Sequence, residues 1–327
     1  MRLKNSFLLL FAVLFLSACG NSATPTPLPT QTSTPIPLPT ITPQTLSECF
    51  AMNTVPTPSP DEESLFPPVG GTDRVLGADD AAVTFIKYSD FQCPGCAVLA
   101  PSLLALFEKF PEDVRVVYRD FPLLTNPGHE LAGLAAQAVH AAALQDGDWV
   151  LQEIFFADQA AWGSLTEAEF VGWVADQAST LGMDGAQLTA DLQSEALAKQ
   201  VSQAFENGLE IGIPGTPFLL INGQIYSGPM DLASLRQIAQ LIILGDRQYT
   251  TCPPTVIDLK KEYLAFLETE HGEVVIQFYT RQAPVAVNNF VFLAQEGWFD
   301  GITFHHVISG FMAQAGDPSG TGQGTPG

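Results

Sequence analysis

Basic residues are scarce in this chain. Lys and Arg number 13 against 35 Asp and Glu, a net charge of −22 over 327 residues. Nucleic-acid binding needs a basic footprint, so that class is excluded. Long apolar runs are scarce as well. Beyond the N-terminal segment nothing is apolar enough, over sufficient length, to cross a membrane. Zinc-type ligand sets are missing: one Cys-x-x-Cys occurs, with no second pair and no His pair near it. No metal or other cofactor is called for. What is present is 46% apolar residues, enough for real cores, and length for roughly two domains and a tail.

The N-terminus sets the compartment. Arg2 and Lys4 precede an apolar stretch from Phe7 to Leu16, then Leu16-Ser17-Ala18-Cys19-Gly20. A charged start, a short apolar core and small residues make residues 1–18 a secretory signal. Leu-Ser-Ala-Cys also looks like a bacterial lipobox, whose cleavage leaves Cys19 lipidated. The alternative is an ordinary signal peptide with an incidental Cys19. The expected location is the cell envelope, extracytoplasmic and lipid-anchored to a bacterial membrane. Residues 19–69 then form a linker. Its Thr/Pro repeats, such as Thr24-Pro25-Thr26-Pro27, favour extended polyproline II and cannot build a core.

Chemistry concentrates at Asp90-Phe91-Gln92-Cys93-Pro94-Gly95-Cys96. The pair follows a β-branched and apolar run, Ala81 to Tyr88, which reads as a buried strand, and Ala97 to Phe110 then has helical periodicity. Two thiols at this spacing can close a small disulfide and exchange it. A helix N-terminus favours the thiolate of the first. The bland alternatives are a structural disulfide or half of a zinc site. Val114 to Arg119 reads as the next strand, giving a parallel crossover unit. Residues 129–208 read as largely helical, an inserted subdomain. Phe218-Leu219-Leu220-Ile221 with Asn222-Gly223 reads as a hairpin, and Asp231 to Leu244 as an amphipathic helix.

This order resembles the DsbA-like thiol–disulfide oxidoreductases of bacterial envelopes. The residues that carry the resemblance are Tyr88 to Cys96, Tyr118-Arg119-Asp120-Phe121-Pro122-Leu123, and Gly215-Thr216-Pro217-Phe218 through Gly223. It implies an α/β class, a thioredoxin fold with a helical insertion, over residues 70–247. It further implies that Cys93 attacks and Cys96 resolves the mixed disulfide. Thr216-Pro217 would be the family's cis-proline site, with the Thr216 backbone free to pair with an extended substrate. Two positions depart from the family. Gly95 stands where strong oxidants often carry His. Lys87 stands where many relatives bury an acid six residues before the first cysteine. Both bear on redox tuning, in opposite directions. Asp90 either replaces that acid as a proton acceptor or merely caps a turn or the helix.

With Cys19 lipidated and Cys93–Cys96 paired, Cys49 and Cys252 remain. They flank the thioredoxin unit, so a Cys49–Cys252 disulfide would clasp its ends. The alternative is two free thiols in flexible segments.

After a linker, residues 248–260, the pattern changes. Tyr263 to Thr269 and Glu273 to Tyr279 read as strands around His271-Gly272, and Pro284 opens a helix. The run from Asp300 to Gly327 resembles the first part of a cyclophilin-type peptidyl-prolyl isomerase. It implies the N-terminal part of a cyclophilin-like β-barrel over residues 261–327, with Phe311, Met312 and Gln314 lining a proline pocket. His306 stands at the family's catalytic Arg. The chain stops in mid-domain, so a fragment of a longer product is expected.

The expected function is an extracytoplasmic thiol–disulfide oxidoreductase acting on folding proteins, with an appended, incomplete prolyl isomerase domain. Its partners are unfolded or folding extracytoplasmic proteins, a redox protein that recharges the thiols, and the membrane through the lipid anchor. The rivals are a non-catalytic chaperone or binding module, and a folding factor whose main activity is prolyl isomerisation.

Overall fold

The computed structural model describes residues 66–71 and 73–327. Everything described belongs to one compact unit. The expected signal peptide, Cys19, most of the Thr/Pro linker and Cys49 lie outside the described residues. Among the described residues no helix is long and apolar enough to cross a membrane.

A five-stranded mixed sheet organises the first part, in the order β1-β3-β2-β4-β5. Strand β1 is Arg74–Leu76 and β2 is Val83–Ser89. Helix α1, Pro94–Lys109, crosses over to β3, Val114–Asp120, which lies parallel to β2. Every residue of β2 is buried except half-buried Thr84, as expected for a central strand covered on both faces. Strand β1 runs antiparallel on the outer edge of β3, paired through Arg74↔Tyr118.

Six helices follow β3: α2 (Ala132–Ala143), α3 (Asp148–Ala157), α4 (Gln159–Trp162), α5 (Glu167–Thr180), α6 (Gly185–Leu192) and α7 (Glu195–Glu210). They enclose a core around Phe155, Trp162 and Phe170, whose rings meet at 5.2–5.7 Å. Thr166 starts α5 with a full capping box to Glu169. Strand β4, Phe218–Ile221, returns antiparallel to β2, and β5, Gln224–Tyr226, pairs with it. Asn222 and Gly223 both have positive φ, 48° and 80°, which is the backbone that a two-residue hairpin turn requires. Helix α8, Leu232–Gly245, is capped by the Asp231 carboxylate.

Alternation along β2 sends Val83 and Phe85 into one core, with Leu99, Leu103 and Leu106 of α1. Ile86 and Tyr88 enter the other, with Val117 and Leu220. Lys87 falls on the α1 side, opposite Tyr118 in the β2–β3 register. Sequence and sheet thus place one lysine under the helix that carries both thiols.

The C-terminal part holds a hairpin of β6 (Tyr263–Thr269) and β7 (Gly272–Phe278), helix α9 (Pro284–Gln295), and a small hairpin of β8 (His306–Ile308) and β9 (Met312–Gln314). It meets the C-terminal end of α8 through Leu244, Leu293 and Trp298. The fold class is α/β, a thioredoxin fold with a helical insertion followed by a cyclophilin-like N-terminal portion, as the sequence implied.

Candidate active site

The thiol loop is built by hydrogen bonds from three directions. Cys93 is the N-cap of α1, and its carbonyl accepts from the N–H groups of Cys96 (3.0 Å) and Ala97 (3.2 Å). Pro94 occupies the first helical turn, where no N–H is needed. Both cysteines are free thiols; Cys93 is 6% exposed and Cys96 fully buried. The Cys93 thiol donates to the Thr216 carbonyl at 3.3 Å. The Thr216–Pro217 bond is cis. That carbonyl is engaged while Cys93 is protonated, so the backbone of Thr216 is less free than the resemblance implied.

The two thiols differ sharply. Cys93 is lowered to about 5, first by the Cys96 thiol bonding to its sulfur and then by the Thr216 side chain and the backbone N–H groups of Cys96 and Gly95; burial works against this. The Thr216 hydroxyl is buried with no hydrogen-bond partner, so it is available to a thiolate on Cys93. Cys96 is pushed well above the usual thiol range by burial first, then by Cys93, with the Lys87 cation opposing.

Lys87 is 2% exposed, and its Nζ donates to the Cys96 carbonyl at 3.1 Å. It sits 4.2 Å from the centre of the Phe156 ring. Burial lowers it to about 8, with Cys96 and Cys93 pulling the other way. The Asp90 carboxylate is buried and fully used: it accepts from Gln92 N–H (2.6 Å) and Leu123 N–H (2.7 Å) and pairs with His129 Nδ1 (2.9 Å). It caps a turn, and none of these bonds reaches a thiol.

Two glutamines were not visible as site residues in the sequence. Gln159 Nε2 donates to the carbonyls of Phe91 (2.6 Å) and Cys93 (3.1 Å). Gln92 bonds Gly163 O and Leu131 N–H. They tie the thiol loop to the helical insertion. Gln159 lies in helix α4 and Gln92 in the turn before Cys93, and an amide in neither place carries a local signal of such a role.

In the C-terminal part, Phe311 is 79% exposed, Met312 half-buried and Gln314 exposed; the latter two share one face of β9. His306 faces Gln314 across the β8–β9 register and is exposed. Among the described residues no His, Cys, Asp or Glu cluster could hold a metal ion.

Residues 70–240 match the thioredoxin family model, more than half of the chain. The chain belongs to the thioredoxin family. Residues 264–327 match the cyclophilin-type peptidyl-prolyl cis-trans isomerase model. This thioredoxin-family chain is 57% identical over 63 residues to a peptidyl-prolyl cis-trans isomerase of Synechococcus elongatus, covering 19% of the chain and 43% of that protein. It is 32% identical over 167 residues to the Na(+)/H(+) antiporter NhaA 1 of Mycolicibacterium gilvum, half of the chain and a quarter of that protein. The chain thus spans less than half the length of these curated relatives. Similar solved structures include oxidised BdbD from Bacillus subtilis, with 22% identity, 52% and 93% coverage and a TM-score of 0.43. Wolbachia pipientis alpha-DsbA1 gives 16% identity, 56% and 96% coverage and a TM-score of 0.47.

Proposed function

We propose that this protein exchanges thiols and disulfides with protein substrates outside the cytoplasm, through Cys93 and Cys96. The observation that carries this reading is the split between two thiols one helical turn apart: Cys93 at about 5 and Cys96 far above it. A stable Cys93 thiolate is a good leaving group, and a buried Cys96 thiol is held for the second step. In the oxidising direction a substrate thiolate attacks Cys93 Sγ, the Cys93–Cys96 bond breaks, and Cys96 takes the electron pair and a proton. A second substrate thiolate then attacks the substrate sulfur of the mixed disulfide. The substrate leaves oxidised and Cys93 leaves as thiolate. Both the lowered Cys93 and the nearby Lys87 cation stabilise the reduced pair, which favours this direction. A redox partner protein restores the disulfide.

The test is substrate trapping. Cys96→Ala should accumulate mixed disulfides at Cys93, and Cys93→Ser should abolish exchange with a model dithiol. A chain that binds unfolded protein equally well with both cysteines replaced, and traps nothing, would instead be a binding module.

The lipid anchor at Cys19 belongs to the same reading, as does delivery across the membrane. Radiolabelled palmitate incorporated by the wild type and lost in Cys19→Ala tests it. Residues 264–327 are assigned to a prolyl isomerase unit in which Phe311, Met312 and Gln314 contact the substrate. A prolyl-peptide isomerisation assay on the chain tests that assignment. His306 replaces a multi-donor guanidinium with an imidazole, so weak activity is expected, and His306→Arg should raise it.

A further inference from the structure

One buried cation has no carboxylate opposite it. Among the described residues Arg74 pairs with Asp148 at 3.6 Å, Arg115 with Asp79 and Arg119 with Asp73, but Lys87 forms no ion pair. It is 2% exposed, with the Cys96 carbonyl as one acceptor and the Phe156 ring at 4.2 Å. An ammonium has three N–H donors, and a buried charge is ordinarily matched by an opposite one. Tyr118 stands beside it in the β2–β3 register. The Tyr118 hydroxyl is buried without a hydrogen-bond partner, apart from a loose approach by the Ser89 hydroxyl, which has none either.

A cavity of about 220 Å³ lies between α1 and α3 at this point, and both Lys87 and Tyr118 line it. Its other walls are mostly apolar, with Leu103, Val116, Trp149 and Phe156 among them. Exposed Glu153 and Ala157 also line it, so it opens to the surface. An apolar cavity of about 150 Å³ takes up benzene. This one has room for a six-membered ring with one small substituent, and for little more.

We propose that the cavity binds a small apolar monocarboxylate of the size of benzoate, its carboxylate accepting from Lys87 and Tyr118 and its body lying against Trp149 and Phe156, and that it binds this ligand more tightly in the disulfide form of the protein. Charge selects the anion. Lys87 keeps its proton to about pH 8 in spite of burial, so it is a cation at neutral pH. Arg74 adds a second buried cation, 4.2 Å from the centre of the Tyr118 ring. Glu153 opposes an entering anion, but it is exposed at the mouth, where solvent screens it. A second charge on the ligand would lie against apolar walls, so one carboxylate is the match.

The redox dependence follows from the thiols. In the dithiol form the sulfurs of Cys96 and Cys93 supply negative charge that favours the lysine cation. In the disulfide form neither sulfur carries charge, and Lys87 is then least matched. A ligand that prefers the disulfide form must lower the reduction potential of the pair by the same factor. That consequence rests on the thiol-exchange reading; the binding itself does not.

The experiment follows the Trp149 indole N–H by two-dimensional NMR of the full chain, with the signal assigned through Trp149→Phe. Benzoate and its neutral counterpart benzyl alcohol are titrated into the disulfide and dithiol forms at slightly acid pH. In the disulfide form benzoate should shift the signal saturably, with an affinity at least about tenfold above that of benzyl alcohol, as hydrogen bonds to a charged group imply. The dithiol form should bind benzoate more weakly. Lys87→Met should bind the two probes alike, and Ala100→Leu, which puts a larger side chain into the cavity, should bind neither. No saturable benzoate binding, equal affinity for the two probes, equal affinity of the two redox forms for benzoate, or binding that leaves Trp149 unmoved overturns the proposal. Should the variants fail to fold, the two probes on the wild type decide. No substrate enters these titrations, so a failure to trap mixed disulfides would remove the exchange reading without touching their result.

Discussion

Gly95 lies against Pro217: a Cβ on Gly95 would come within 2.9 Å of the proline Cδ. The φ of Gly95 is not left-handed, so the backbone itself accepts a side chain. In a helix Ala is favoured over Gly by up to about 1 kcal/mol. The obstacle is the proline ring, which cannot rotate away as a flexible side chain would. Gly95→Ala must shift the first turn of α1 or the Thr216–Pro217 loop. Global stability should stay within about 1 kcal/mol of wild type, because the propensity gain offsets the crowding. The Cys93–Thr216 contact should loosen, so Cys93 should titrate above about 5 and exchange more slowly. Iodoacetamide alkylation rates across pH measure this, and an unchanged profile would show that the ring yields freely.

The thiol pair predicts different pH behaviour for the two redox forms. In the dithiol protein Cys93 is lowered from 9.0 to about 5. A lowered acid contributes stability that is complete above the unfolded value of 9.0 and is lost as pH falls through about 5. The disulfide form lacks this group. Urea midpoints of the reduced protein should therefore gain on those of the oxidised protein as pH rises from about 5 toward 9. Cys96→Ala removes the first cause of the lowering, the Cys96 thiol at the Cys93 sulfur. Its Cys93 alkylation midpoint should move upward; an unmoved midpoint would assign the thiolate to the helix N-terminus instead.

Much of this was legible in the sequence, for identifiable reasons. Ala81 to Tyr88 is an apolar and β-branched run around one lysine, and the structure makes Val83–Ser89 a strand, while Asn222-Gly223 can do little but turn. Strand β1 was not legible: Arg74-Val75-Leu76 is three residues long, and only pairing with β3 makes it a strand. The thiols announced themselves by spacing. Lys87 was legible as a departure from a family pattern, but its burial under Cys96 follows from alternation along a strand whose faces the sequence did not label. Gln92 and Gln159 were invisible, because their partners are carbonyls and N–H groups that come together only when the helical insertion folds onto the loop.

Gln159 offers a test of that insertion. Its amide donates to the carbonyls of Phe91 and Cys93. Gln159→Leu keeps the volume but leaves the Phe91 carbonyl without this donor, a cost of roughly 1–3 kcal/mol for a desolvated acceptor. The loop before Cys93 should become more mobile, and exchange should slow although no thiol is touched. Asp90→Ala should cost more, since it strips three donors of their acceptor. Hydrogen exchange at Gln92 and Leu123 N–H, compared between the two variants, separates a loosened loop from a loosened core. Equal protection in both would show that the insertion does not brace the loop.

Cys252 is disulfide-bonded, and Cys93 and Cys96 are free. Its expected partner, Cys49, lies outside the described residues. A bridge between the two would close a loop of about two hundred residues, which the chain-entropy model values at about 5 kcal/mol. Cys252→Ser should therefore lower the urea midpoint steeply while leaving the pH profile of Cys93 unchanged. Cys49→Ser should cost the same, and the double variant no more than either alone, because a single bond is being removed. Losses that add in the double variant would mean that the two cysteines act separately. Peptide mapping without reductant gives the independent check: the Cys252 peptide should be found joined to the Cys49 peptide, and a link to Cys19 instead would remove the lipid anchor along with the clasp.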